Sequence, residues 1–176
     1  MEYFEMRQDP RVTSAAEPAG ADVNRLRHMA RGETSEASSP VNLYVKKSGR
    51  IEYPDCIENP VMLLSEKLKR VIGIYQKDAV FGAVTLIEKE TNRQEIYYTV
   101  SAPRIGCASN ETAYDARGKV KELVIDQEKA GQARVFFAEG NGQRLIVRLD
   151  VAESILRRDP YGVWFEKVKV KTKGGE

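Results

Sequence analysis

Few residues in the chain have the type and spacing for chemistry, and the nearest to a catalytic pair is Asp150 with Glu153. Two carboxylates three residues apart share one face of a helix, where paired carboxylates can do acid–base work. The same spacing is a capping box with Asp in place of Ser or Thr. The neighbours support the cap. Val151, Ala152, Ile155 and Leu156 form an apolar stripe at helical spacing, Arg157 follows Glu153 by four residues, and Pro160 ends the helix. Cys56 would be a nucleophile only beside a basic group, and with none assignable it reads as a buried thiol. His28, the single histidine, has no identifiable nucleophile or orienting acid and reads as a surface or half-buried residue. Glu52, Asp55 and Glu58 offer the oxygen ligands that hard cations prefer. They lack the dense, glycine-turned loop of a calcium site and read as a solvated acidic loop. Gly140-Asn141-Gly142 lacks the lysine and helix start of a phosphate cradle, and is expected to be a hairpin loop. Lys67, Lys69 and Arg70 mark a solvated helix face, and Lys167, Lys169, Lys171 and Lys173 a protected edge strand. No catalytic, cofactor or metal residue is assigned.

The elements that must position these residues follow from periodicity. Leu145, Val147 and Leu149 alternate with Arg144, Ile146 and Arg148, a half-buried strand that runs into the helix capped by Asp150. After Gly162 a second strand places Val163 and Phe165 on one side and Trp164, Val168 and Val170 on the other. That pattern requires cover on both faces or a bulge near Glu166. Ser65 to Tyr75 is a helix with a serine cap and Leu68, Val71, Ile72 and Tyr75 on its apolar face. Val80–Glu88 and Glu95–Ser101 read as a hairpin, with Val84 and Leu86 on one side and Ile96, Tyr98 and Val100 opposite. Met1–Arg7, Asn42–Lys46, Val120–Asp126 and Arg134–Ala138 are further strands. Residues 9–40 read as a weakly structured arm with one short helix over 22–31, then a linker GETSEASSP. Residues 102–119 are turn-rich, and 171–176 form a frayed tail. The sum is a single α+β domain over residues 1–176, an antiparallel or mixed sheet with two main helices packed on it.

Composition bounds the function classes. Lys and Arg total 28 against 26 Asp and Glu, and a net charge of +2 is too weak to call for nucleic acid or a membrane surface. There is no membrane-span pattern and no signal-peptide core. Two isolated cysteines, Cys56 and Cys107, suggest reduced thiols and a cytoplasmic location.

Three stretches, MEYFEMRQDPRV, EYPDCIENPVMLLSEKLKRVI and RLDVAESILRRDPYGVWFEKV, stand in an order and at separations that resemble one family. It is the bacterial immunity-protein family numbered eleven in the polymorphic-toxin series. Residues 15–40 and 108–118 match only loosely. The resemblance implies a cytoplasmic, non-catalytic protein that binds and neutralises a cognate protein toxin, with no cofactor and no catalytic residues to carry over. The near-neutral charge implies blockade by shape and local pairing rather than by a strong field. Tyr53, Tyr75, Tyr97, Tyr114 and Tyr161 are candidate anchors for such a partner, and the loosely matching segments are the expected contact surface. Two alternatives stand beside this reading: a general interaction module for another protein, and a small enzyme using Asp150, Glu153 or Cys56.

Overall fold

The computed structural model describes residues 1–20, 22–33, 40–47 and 49–172. In chain order the strands are β1 (Tyr3–Gln8), β2 (Pro18–Ala19), β3 (Val41–Val45), β4 (Cys56–Ile57), β5 (Leu63–Leu64), β6 (Val80–Glu88) and β7 (Arg93–Ser101). They continue with β8 (Arg104–Ile105), β9 (Ala113–Tyr114), β10 (Val120–Glu122), β11 (Val124–Asp126), β12 (Val135–Ala138), β13 (Leu145–Arg148) and β14 (Val163–Lys171). The helices are α1 (Val23–Ala30), α2 (Glu66–Tyr75), α3 (Gln127–Ala130) and α4 (Leu149–Leu156).

The expectation of one sheet with two helices is corrected to two six-stranded mixed sheets, a two-stranded ribbon β10-β9, and four helices among the described residues. The first sheet has the order β11-β14-β1-β13-β12-β8 and the second β2-β3-β6-β7-β5-β4. Hydrophobic periodicity reports which face of a strand is buried and says nothing about which distant strand lies beside it. Thus β1 sits between β13 and β14, antiparallel to both, and β3 runs parallel to β6.

The two sheets sandwich a central core. Met6, Val135, Phe137, Leu145 and Val147 of the first sheet meet Cys56, Leu64 and Val100 of the second, with α2 and α4 between them. Leu68, Val71 and Ile72 of α2 and Val151, Ala152 and Ile155 of α4 are the buried faces. Each fully buried aliphatic side chain here stabilises the fold by about 1.5–3 kcal/mol relative to exposure. On the far side of the second sheet, Leu26, Met29 and Ala30 of α1 pack on Val41, Leu43, Val84, Leu86 and Tyr97. On the far side of the first, Tyr3, Phe136 and Ile146 join Cys107, Leu123, Ile125 and Ala130. The short helix expected within residues 22–31 is therefore α1, packed against a core. Most of the expected linker, residues 34–39, and the tail from residue 173 lie outside the described residues.

Several local expectations shift. Ser65 caps α2 as expected, its hydroxyl accepting from the Leu68 N–H at 3.4 Å. Asp150 does not cap α4: the helix begins at Leu149, Arg148 stands at the cap position and its side chain caps no backbone N–H, and Asp150 lies inside the first turn. Its charge still favours the helix N-terminus, but the Arg148 guanidinium takes both its oxygens, at 2.8 and 2.7 Å. Ile146 is buried along with Leu145 and Val147, because β13 is covered on both faces. In β14 the register against β1 is continuous, so no bulge swaps its faces. Val163 and Phe165 pack on the central core and Val168 and Val170 on the far core, which explains apolar residues on both sides. The lysine row is not at an edge, since β14 lies between β11 and β1. Lys167, Lys169 and Lys171 instead pair with Glu2, Glu122 and Glu111.

The β6–β7 hairpin forms, with Val84 and Leu86 on one face and Ile96, Tyr98 and Val100 on the other. Val84 faces Tyr97 across the ladder, and directly opposed residues share a face, so Tyr97 is buried beside Val84 while Ile96 points away. Val100 and Tyr98 turn toward α2, as does Phe81.

Candidate functional site

The residues singled out for chemistry do not converge. Arg148 holds the Asp150 carboxyl below the usual carboxylate range, an ion-paired anion rather than a proton carrier. Glu153 pairs with Arg157 at 3.5 Å along the helix. His28 is exposed on α1 with Nδ1 2.9 Å from Glu33 Oε2. Cys56 is fully buried in the central core, where burial pushes its thiol up and disfavours the thiolate a nucleophile needs. Cys107 is buried in the far core and its thiol is raised for the same reason.

Each carboxylate of the acidic loop is engaged, and two of them share Tyr161. Asp55 Oδ2 accepts from the Tyr161 N–H at 2.7 Å and from Lys67 Nζ at 3.1 Å. Glu58 accepts from Arg7 Nε at 3.1 Å, and Glu52 from the Tyr161 hydroxyl at 2.6 Å. Among the described residues no group of three His, Cys, Asp or Glu could hold a metal ion. The Gly140 and Gly142 pair turns the β12–β13 hairpin with φ of +75° and +68°. Between them the buried Asn141 donates to Glu5 Oε1 at 3.0 Å, so that loop serves packing.

What the geometry offers is surface for gripping. A cleft of about 600 Å³ opens where the end of β1 meets β14, with Arg7, Glu58, Trp164 and Glu166 in its wall. Arg7 bridges Glu58 at 3.1 Å and Glu166 at 3.3 Å, and the Arg11 guanidinium lies 5.9 Å from the Trp164 ring centre. Of the five candidate tyrosines, Tyr97 is buried, Tyr53 and Tyr75 are half-buried, and Tyr114 and Tyr161 are exposed. Tyr161 is exposed yet tied to the acidic loop through both its backbone and its hydroxyl. An aromatic group fixed in this way loses little side-chain entropy when a partner covers it. Sequence reasoning missed Tyr44, Ile96 and Trp164 as exposed groups. For Trp164 a signal was available: it falls out of step with Val163 and Phe165, on the side that carries Glu166.

No helix among the described residues is long and apolar enough to cross a membrane. A comparison with curated proteins finds no match. The family model described as Immunity protein family (Imm11) matches residues 4–170 of the 176-residue chain, a span that takes in the second sheet, all four described helices and all but Tyr3 and Lys171 of the first sheet. The chain belongs to that immunity protein family.

Proposed function

We propose that this protein binds a cognate protein toxin and neutralises it by forming a complex, catalysing no reaction itself. Membership of the immunity protein family over residues 4–170 carries the reading. The side-chain arrangement supports it: Asp150, Glu153 and the three carboxylates of the acidic loop are all engaged in hydrogen bonds or ion pairs, and Cys56 is buried. Meanwhile the surface presents aromatic groups of the kind that anchor protein interfaces. The proposed setting is the cytoplasm of the producing cell, with both cysteines reduced. A near-neutral chain would block its toxin by shape and local ion pairs rather than by imitating nucleic acid.

The test is co-expression with the product of the adjacent gene, followed by affinity co-purification and growth rescue. Stable co-purification together with rescue is the expected result. A toxic neighbour that the protein neither binds nor rescues would overturn the proposal.

A further inference from the structure

The second sheet is covered unequally on its two sides. One face gives Val41, Leu43, Val84, Leu86 and Tyr97 to the core beneath α1. The other is roofed near Leu64, Phe81 and Val100, which pack into the central core with α2. Beyond that roof the strand registers align Tyr44 with Ile87, Thr85 with Ile96, and Ala83 with Tyr98, all on the open side. Ile96 is 59% exposed and Tyr44 50%. An ammonium group sits on each tyrosine: Lys89 Nζ lies 4.0 Å from the Tyr44 ring centre and Lys69 Nζ 3.9 Å from that of Tyr98. Lys69 is shared with Glu66 at 3.3 Å, whereas Lys89 has no carboxylate within ion-pairing distance among the described residues.

We infer that this open face, centred on Ile87 and Ile96 between Tyr44 and Tyr98, is the toxin-gripping surface, and that it fits a protein with an apolar centre and an acidic rim. The inference rests on the toxin-binding reading and adds where the toxin sits and what it presents. A contiguous exposed apolar patch on a folded protein marks an interaction site, and tyrosines at its borders supply contact area at low entropic cost. Lys89 at the edge of the patch is placed to meet a carboxylate, steering the encounter and fixing its register, while Lys69 stays with Glu66. The cleft beside Trp164 makes a weaker claim, since Arg7 and Arg11 are already paired with Glu58, Glu166 and Asp9. A second copy of this chain fits poorly. A two-fold axis through the patch would pair each copy's Lys89 with a surface that offers it no carboxylate beyond its own neighbours. The surface lies outside residues 15–40 and 108–118, the segments where the resemblance is loosest.

The experiment measures binding kinetics with the purified product of the adjacent gene, inactivated, for the wild type and three variants. Ile96→Asp puts a charge at the centre of an already exposed position, and it is expected to weaken the complex about thirtyfold or more with an unchanged melting temperature. Lys89→Glu, which disturbs no buried group, carries the test by itself should Ile96→Asp prove unstable. It is expected to slow association about tenfold and to flatten its salt dependence. Leu156→Asp, the same chemical change at an exposed position on α4, is expected to bind as wild type. If Lys89→Glu binds unchanged, or if Leu156→Asp weakens binding as much as Ile96→Asp, the surface is wrong while the toxin reading stands. A wild-type dimer in sedimentation that Ile96→Asp dissolves would assign the face to a second copy and likewise overturn the inference. Failure of the wild type to bind at all would remove the toxin reading and this inference together.

Discussion

The Tyr97 hydroxyl donates to the Pro54 carbonyl at 2.7 Å, and both residues are buried. This bond ties the middle of β7 to the acidic loop in a place water does not reach. Burial also pushes the phenol up, so it stays a donor at any ordinary pH. Tyr97→Phe leaves the carbonyl without its partner and should cost about 1–2 kcal/mol. Urea unfolding checks this: the midpoint should fall and the slope should not change.

Gly162, with φ of +69°, stands where an added Cβ would come within 2.3 Å of Pro54 Cβ. Gly162→Ala therefore meets backbone strain and a steric clash together, and should destabilise by more than about 1 kcal/mol. Gly118 has a similar φ of +75° and nothing within 4 Å of the would-be Cβ, so Gly118→Ala separates the two effects. Thermal melting of both should show the larger loss at Gly162. Equal losses would mean that the contact with Pro54 contributes nothing.

Both thiols are buried and shifted upward by that burial, so the native protein should react slowly with a disulfide reagent such as DTNB. In denaturant the count should rise to the full 2 per chain. Rapid reaction of one thiol in the folded state would show that one of the two cores opens locally.

Glu66 gives a pH prediction. The Tyr98 hydroxyl first, then the Arg70 guanidinium and the Lys69 ammonium, hold its carboxyl at about 2, below an ordinary value of 4.5. A carboxyl depressed on folding adds stability that is complete above its unfolded value and is lost as pH falls through its folded one. The loss should therefore run from about pH 4.5 down to about 2. The side chain is 42% exposed, so solvent screening holds the effect below about 1 kcal/mol. Denaturation of the wild type and Glu66→Gln across that range should converge toward the acid end. A constant gap between the two would refute the assignment.

The local elements were legible because local chemistry specifies them. Ser65 ahead of an apolar stripe marks α2, the polar turn between Glu88 and Arg93 joins the hairpin, and Gly140 and Gly142 turn β12 into β13. Which face of β7 is covered was harder to read. Ile96, Tyr97, Tyr98 and Val100 all suit a strand, and only the partner strand and α2 decide that Tyr97 goes inside and Ile96 outside. The cap at Asp150 was misplaced because Arg148, two residues earlier, competes for the same carboxylate. The split into two sheets was not legible at all. Pairing β1 with β13 and β14 spans most of the chain, and no local pattern encodes it. The open face of the second sheet is hidden for the same reason, since its exposure depends on where α2 stops covering β6 and β7.

The place of β1 between β13 and β14 also sets the order in which the molecule can be completed on the ribosome. Tyr3 pairs with Arg148 and Val168, so the first sheet stays unfinished until β13 and β14 have emerged. At roughly 5–20 residues per second, synthesis leaves β1 unpaired for on the order of ten seconds. The β6–β7 hairpin is complete by Ser101 and can form during that interval. The toxin binding proposed above would then lag each new message by the time needed to translate through β14.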